Sequence, residues 1–246
     1  MNATKGSPLG TSRKTAIIVG ALYIIGTVAG ILSLVFTAPI LERTDYLAQI
    51  STSQNQIVIG ALLVLMMGLA LAMVPVMMFP ILRRYNEALA VGYVVFRGAL
   101  EGATYLALAI GWLFLPLISR EYVKSSAADA STFQSVSNVV LDAHDQLGHV
   151  LTIVFIVGAL MFYYVLYRSK LVPQWLSGWG LLAAIPYFVS AVLGLFNILD
   201  LMSGIYMILV LPMAVQEMVL AVWLIAKGFN SSPVISGLTN VVASQA

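Results

Sequence analysis

Six long runs of apolar residues, separated by shorter polar segments, organise this chain. The runs cover roughly residues 15–38, 56–81, 88–118, 138–167, 176–199 and 203–226. A helix that crosses a bilayer needs about 20 apolar residues, and each run is long enough. The pattern therefore predicts an all-α, polytopic membrane protein with a six-helix transmembrane bundle. The third and fourth runs exceed this length, and we expect their helices to tilt or to continue beyond the lipid.

The segments at the two ends of the chain bound this transmembrane domain. Residues 1–14 are polar, residues 15–228 hold the six spans, and residues 229–246 carry no charge and no clear periodicity. We expect the last segment to be a disordered tail. The first apolar run is longer than the apolar part of a secretory signal peptide, which has about 7–15 residues, so we interpret it as a retained span.

The positions of lysine and arginine predict the orientation of the bundle. If the N-terminus is cytoplasmic, eight basic residues lie in cytoplasmic segments and three lie on the opposite side. The cytoplasmic group is Lys5, Arg13, Lys14, Arg83, Arg84, Arg168, Lys170 and Lys227, and the opposite group is Arg43, Arg120 and Lys124. Because cytoplasmic loops of membrane proteins carry an excess of Lys and Arg, we expect both termini to be cytoplasmic.

The composition agrees with a membrane bundle and excludes several kinds of site. The chain is 61% hydrophobic and 9% charged, whereas soluble domains are about 45–50% apolar and about 25% charged. A net charge of +2 without a basic run argues against nucleic-acid binding. The absence of cysteine excludes disulfides, thiolate nucleophiles, iron–sulfur clusters and Cys-type zinc sites. The two histidines, His144 and His149, suffice for at most one mixed-ligand metal site.

Three charged residues lie inside predicted spans: Arg97 and Glu101 in the third and Glu217 in the sixth. Each costs about 2.5–3.5 kcal/mol to insert, so such residues pair, line a wet cavity or carry a function. Arg97 and Glu101 are four residues apart and can contact each other along one helix. Arg97 and Glu217 each lie about 15 Å from the predicted cytoplasmic boundary, because each is about ten residues from it. We therefore expect the three side chains to form one layer near mid-membrane.

This layer has two interpretations, which the sequence leaves open. It forms either a buried ion-pair network that fixes the positions of the helices or a binding site for a proton, an ion or another ligand. With all three groups ionised, the layer carries one net negative charge, which a proton or cation would neutralise. If the layer is a ligand site, we expect an open cavity lined by Tyr93, Tyr105 and Tyr206.

A second polar stripe lies at the predicted outer end of the fourth span. Asp142, Asp145 and His149 share one helix face there. Asp145 precedes His149 by four residues, a spacing at which a carboxylate can orient an imidazole. The stripe is a solvated helix end, a polar vestibule or an Asp/His metal site, and no specific motif supports the metal site. We expect no bound metal, no cofactor and no catalytic residue.

Four segments of the chain resemble an uncharacterised bacterial integral-membrane family, domain of unknown function 4386. They are PILRRYNEALAVGYVVFRGALE at 80–101, DAHDQLGH at 142–149, VPQWLSGWGLLAA at 172–184 and LPMAVQEMVLAVWLIAKGFN at 211–230. The resemblance covers nearly all of residues 12–230. It implies a six-helix protein of the bacterial inner membrane and implies no particular activity. Arg97, Glu101, His149 and Glu217 fall within these segments.

Three functions are compatible with these residues. The first is binding or translocation of a proton, an ion, a lipid or a small apolar ligand at the Arg/Glu layer. The second is a structural or accessory role in the membrane with no site of its own. The third is a membrane-embedded hydrolase that uses Asp142, Asp145 and His149. Because the chain has only two histidines and no recognised catalytic motif, the sequence favours a protein that is not an enzyme. The expected partners are membrane lipids and a small ligand or ion.

Overall fold

Each apolar run of the sequence forms a helix, because a helix satisfies its backbone hydrogen bonds internally where the bilayer offers no water. The computed structural model describes residues 8–201 and 203–230, and within them it contains eight α-helices, one π-helical segment and no strand. The α-helices are α1 Pro8–Leu41, α2 Tyr46–Thr52, α3 Gln54–Leu82, α4 Glu87–Tyr93, α5 Glu101–Lys124, α6 Ala127–Ser169, α7 Gln174–Leu195 and α8 Gly204–Ala226. The π-helical segment, Val94–Leu100, joins α4 to α5 without a break. Six spans result, which confirms the predicted all-α membrane bundle.

The six spans follow one another around a closed ring. Each span packs against the one before it, in the order α1, α3, α4–α5, α6, α7 and α8, and α8 closes the ring against α1. The surface that faces away from the ring is rich in exposed leucine, isoleucine and valine side chains, as a lipid-facing surface requires. The third and sixth spans, α4–α5 and α8, therefore lie on opposite sides of the ring interior.

The closure between α1 and α8 brings the start of α1 and the end of α8 to the same end of the bundle. Arg13 of α1 donates hydrogen bonds to the carbonyl oxygens of Leu224, at 2.9 Å, and Ile225, at 2.6 Å. These carbonyls belong to the last turn of α8, where helical N–H partners run out, and the Leu224 carbonyl oxygen also accepts the Gly228 N–H at 3.1 Å. The arrangement fits the prediction that both termini lie on one side. Which side is cytoplasmic remains a prediction from the basic residues.

The third and fourth spans extend beyond the predicted limits at the predicted outer end. α5 continues to Lys124 and α6 begins at Ala127, so the two helices are joined by a very short turn. α6 has 43 residues and is about 65 Å long, roughly twice the hydrocarbon thickness. The short helix α2 supports this extension, because the Tyr46 hydroxyl donates to Asn138 Oδ1 at 2.8 Å. Ser119 of α5 in turn donates to the Leu47 carbonyl oxygen at 2.6 Å.

The first residues of the predicted tail fold back onto the bundle. The Asn230 backbone N–H donates to the Leu171 carbonyl oxygen at 2.8 Å, and its side-chain amide donates to the Lys170 carbonyl oxygen at 2.6 Å. Phe229 is partly buried beside them. The rest of the predicted disordered tail lies outside the described residues, as do residues 1–7 of the predicted polar N-terminal segment.

Candidate functional site

The π-helical segment places Arg97 on the face of the third span that is turned to the ring interior. A step of four residues overshoots one turn of an α-helix by about 40°, whereas a π turn contains more than four residues and offsets that drift. Tyr93, Arg97, Glu101 and Tyr105 are spaced by four residues, and all four side chains are buried. The π-helical geometry therefore keeps these four side chains on one continuous face over three turns. In an uninterrupted α-helix, the same spacing would rotate part of this face away from the interior.

Gly158 of α6 makes room for this π-helical segment. A Cβ atom at Gly158 would lie 2.5 Å from Arg97 Cγ and 3.2 Å from the Arg97 backbone nitrogen. The same atom would lie 3.2 Å from Phe96 Cβ. The backbone of α6 thus approaches the π segment as closely as a glycine permits. We conclude that the position of Arg97 depends on a glycine in a neighbouring helix.

Arg97 forms ion pairs with both carboxylates that the sequence places in the membrane. Its Nη1 lies 2.9 Å from Glu101 Oε1, and its Nη2 lies 3.2 Å from Glu217 Oε1. The two contacts expected from helical spacing and depth are both present. The side chains of Arg97 and Glu101 are 1% exposed, while that of Glu217 is 15% exposed. The two acids therefore differ: Glu101 is enclosed, and Glu217 retains some accessible surface.

An aromatic ring covers a further side of the guanidinium. The Arg97 Cζ atom lies 4.2 Å from the centre of the Phe155 ring of α6. A desolvated cation over an aromatic face gains about 2 kcal/mol. The arginine is thus held by a carboxylate on its own helix, a carboxylate on α8 and a ring on α6.

A small cavity adjoins the layer inside the ring. Its volume is about 100 Å³, and every span except α1 contributes to its wall. The lining residues are Leu71, Arg97, Tyr105, Leu151, Phe155, Tyr187, Val210, Met213, Ala214 and Glu217. Of the three tyrosines expected to line it, only Tyr105 does. The expectation for the other two is wrong, because Tyr93 stacks on Phe162 at 4.7 Å and Tyr206 packs beside His149, whereas Tyr187 of α7 lines the cavity instead.

A second polar contact beside the layer joins α6, α7 and α8. Gln216 is fully buried, accepts a hydrogen bond from the Tyr163 hydroxyl at 2.6 Å and donates to the Leu176 carbonyl oxygen at 3.0 Å. Sequence reasoning did not assign this role, because Gln216 precedes Glu217 and points about 100° away from it on the helix. A glutamine inside an apolar run is the signal that could have drawn attention to it, since a buried amide requires partners.

The outer polar stripe lies at a larger cavity between α6 and the α7–α8 connection. We call this cavity the vestibule. It has a volume of about 540 Å³ and is lined by Asp142, Asp145, Gln146, His149, Gly194, Leu195, Asn197, Leu199, Asp200 and Leu201. All three residues of the predicted stripe thus lie in its wall. The Gln146 side-chain amide donates to Asn197 Oδ1 at 2.8 Å and ties the connection to α6.

Asp145 does not pair with His149 in the structure, although their four-residue spacing permits it. Asp145 Oδ1 lies 3.9 Å from Nδ1 of His144 and makes no hydrogen bond to His149. His149 is 3% exposed and packs against Gly194, and its Nδ1 has no hydrogen-bond partner among the described residues. The four-residue spacing allowed the contact, but the carboxylate turns toward solvent, where it keeps its hydration. Within residues 8–201 and 203–230, no three His, Asp or Glu side chains converge as metal ligands.

The hydroxyl groups of Thr152 and Tyr206 lie between the vestibule and the central cavity. The Thr152 hydroxyl lies near the hydroxyls of Tyr187 and Tyr206. It also donates to the Gly148 carbonyl oxygen at 3.1 Å. The Tyr206 ring stands edge-on to His149, with ring centres 6.3 Å apart. The vestibule wall and the cavity wall are therefore joined by polar groups of α6, α7 and α8.

The chain belongs to the family described as Domain of unknown function (DUF4386), whose profile matches residues 18–228. The resemblance inferred from four segments of the sequence is thus confirmed. No curated protein and no solved structure matches the chain. The matched range includes both the Arg97–Glu101–Glu217 layer and the vestibule, and it assigns a role to neither.

Proposed function

We propose that this membrane protein takes up and releases a proton at Glu217, within the layer that Glu217 forms with Arg97 and Glu101. The observation that carries the proposal is that one arginine serves two carboxylates, of which only Glu217 lines the central cavity. With all three groups ionised, the layer holds one uncompensated negative charge in the membrane interior, which is costly. A proton on one carboxylate removes that charge.

The volume of the cavity favours a proton over larger ligands. Drug-sized ligands occupy pockets of about 300–1,000 Å³. The central cavity has about 100 Å³, which corresponds to roughly three water molecules at about 30 Å³ each. A lipid chain or an apolar molecule of similar size therefore does not fit. The volume supports a site that handles protons and water.

The lining of the cavity favours a proton over a metal cation. Hard cations such as Ca²⁺ take about six to eight oxygen ligands. Here the oxygen-bearing side chains in the wall are Tyr105, Tyr187 and Glu217, and the guanidinium of Arg97 lies among them. A fixed positive charge at the site repels a metal cation, whereas it does not prevent a proton from adding to a carboxylate.

The titratable groups around Glu217 come from the first, third, fourth and fifth spans. They are Tyr23 of α1, Tyr93 of α4, Arg97 of the π segment, Glu101 and Tyr105 of α5, Tyr163 of α6 and Tyr187 of α7. The tyrosines are neutral at physiological pH, so the charge of the layer depends on Arg97 and the two glutamates alone.

A route to the vestibule supports exchange with the predicted outer side. Tyr187 borders the central cavity, His149 borders the vestibule, and the hydroxyls of Thr152 and Tyr206 lie between them. Hydroxyl groups can both donate and accept hydrogen bonds, so they can pass a proton along a chain with water. The proton in this proposal moves between the vestibule and the Glu217 carboxylate.

The alternative is that the layer only fixes the helices, as in an accessory membrane protein. The enclosure of Arg97 and Glu101, each 1% exposed, favours that alternative. The hydrolase hypothesis has less support, because Asp145 makes no hydrogen bond to His149.

Infrared difference spectroscopy distinguishes proton uptake at Glu217 from a purely structural ion-pair network. Spectra of the purified protein at two pH values should contain a carboxyl C=O band that disappears in Glu217→Gln. Glu42→Gln, which neutralises an exposed carboxylate at the predicted outer end, should retain that band. If the wild type shows no such band, or if a folded E217Q retains it, the layer is a structural ion-pair network.

A further inference from the structure

We infer that the vestibule binds an organic ammonium group. The vestibule is the 540 Å³ cavity between α6 and the α7–α8 connection. This inference concerns binding at the predicted outer end of the bundle and does not depend on proton uptake at Glu217. Its readout is the binding of an amine, so it can succeed or fail separately from the proposed function.

The wall of the vestibule carries a strong negative charge. Asp142 and Asp145 project from α6, and Asp200 lies in the α7–α8 connection. All three are exposed, and among the described residues none forms an ion pair with a lysine or arginine. No lysine or arginine belongs to the part of the wall that the structure describes. A concave site with charges of one sign and apolar walls concentrates ions of the opposite sign.

The spacing of the acids suits an organic cation better than a metal ion. A metal ion requires carboxylate oxygens that converge to about 2.0–2.6 Å from one point. The acids of the vestibule do not converge in this way within residues 8–201 and 203–230. Leucines at 195, 199 and 201 add some apolar surface to the wall. The volume lies within the range of about 300–1,000 Å³ that is typical of sites for small organic molecules.

A buried histidine provides the second, independent indication of a ligand. His149 lines the vestibule, is 3% exposed, and its Nδ1 has no hydrogen-bond partner among the described residues. Buried polar atoms almost always have a partner, because an unpaired one loses its hydration without compensation. A ligand that enters the vestibule lies against this side chain, and an ammonium group carries N–H donors for an imidazole that turns toward it.

Two sources of the same ammonium chemistry reach this position. One is a free aliphatic amine from the aqueous side. The other is the ethanolamine headgroup of a phospholipid, because Phe196 and Ile198 of the connection are exposed apolar side chains beside the vestibule. Such side chains at the end of a span lie against lipid, so a headgroup can approach from the side.

Equilibrium binding with two probes tests the inference. Radiolabelled putrescine is titrated against the full-length protein in detergent, and native mass spectrometry compares nanodiscs of phosphatidylethanolamine with nanodiscs of phosphatidylcholine. We expect saturable binding of at least one probe. Asp142→Asn with Asp145→Asn should weaken it about tenfold or more, because each carboxylate contributes about fivefold in water. Asp200→Asn should weaken it about fivefold. Glu42→Gln removes an exposed acid outside the vestibule and should leave binding unchanged.

The pattern of results decides both the inference and the source. Binding of putrescine alone identifies a free amine, and retention of phosphatidylethanolamine alone identifies the headgroup. The inference is overturned if neither probe binds the wild type. It is also overturned if D142N/D145N and D200N unfold at the wild-type temperature and bind the probe as the wild type does.

Discussion

The guanidinium of Arg97 crosses the interior of the helix ring to meet Glu217, which lies 120 residues further along the chain, with an Nη2–Oε1 distance of 3.2 Å. The third and sixth spans are on opposite sides of the ring, so this ion pair joins helices that are not packed neighbours. The contact requires a side chain as long as that of arginine. The close approach of α6 at Gly158 fixes the position of the Arg97 backbone, from which that side chain extends.

Removal of the arginine should destabilise the protein strongly. Arg97→Ala leaves two buried carboxylates without their cation, and we expect a loss of about 3–5 kcal/mol in the free energy of unfolding in detergent. The double variant R97A/E217Q should recover part of the loss, because it removes one of the unpaired charges. In a double-mutant cycle of R97A and E217Q, additive losses in the free energy of unfolding would contradict a direct interaction between the two side chains. Arg120→Ala is the matched control, since Arg120 is exposed at the end of α5 and, among the described residues, its side chain bonds Gln54 alone. Its effect should stay within about 0.5 kcal/mol.

A single methyl group at Gly158 should displace the π-helical segment. The added Cβ would lie 2.5 Å from Arg97 Cγ, so either α6 or the segment must move. We expect Gly158→Ala to cost about 1–3 kcal/mol, as overpacking of a core does. Gly204→Ala is the control, because a Cβ there meets nothing within 4 Å. Equal melting temperatures for G158A and wild type would show that the close approach is not required.

The hydrogen bond between Tyr163 and Gln216 should contribute to stability without a charge. Tyr163→Phe leaves the Gln216 amide oxygen buried without its donor, which typically costs about 1–3 kcal/mol. Tyr164→Phe removes the hydroxyl from the adjacent, 49% exposed tyrosine and should change stability by less than about 0.5 kcal/mol. Thermal unfolding of the two variants in the same detergent provides the comparison. A larger effect of Y164F than of Y163F would refute the assignment.

The predicted orientation can be tested with fusions. A reporter that is active only in the periplasm should give no signal when it is fused after Lys227, because eight of the basic residues lie on the side of the termini. The same reporter should give a signal when it is inserted within residues 121–135, in the segment between the third and fourth spans. A strong signal from the C-terminal fusion would reverse the orientation and move the vestibule to the cytoplasmic side.

The contact between Arg97 and Glu217 could be anticipated because depth in a membrane can be counted. The rise of a helix is fixed, so two residues at equal distances from the same boundary lie in one layer. The count did not specify the rotation of either helix. It also gave no sign of the π turn, which depends on a glycine of another helix, or of Tyr187 in the cavity wall, which depends on how α7 faces the interior.

The outer stripe illustrates the limit of spacing arguments. The sequence correctly placed Asp142, Asp145 and His149 on one face of one helix, and all three border the vestibule. A spacing of four residues permitted Asp145 to hold His149, but hydration of the carboxylate and the packing of the ring against Gly194 prevailed. The choice between such contacts depends on side chains that come from elsewhere in the chain.

The sequence by itself determined the six spans and the placement of charged residues inside two of them. It could do so because the bilayer demands about 20 apolar residues per helix and makes every exception costly. Only the tertiary structure decided the closed ring, the π-helical segment beside Gly158, the 100 Å³ cavity at Glu217 and the unpaired imidazole of His149. These features depend on the rotation and close packing of helices that are distant in sequence, and the apolar pattern is nearly the same for many such arrangements.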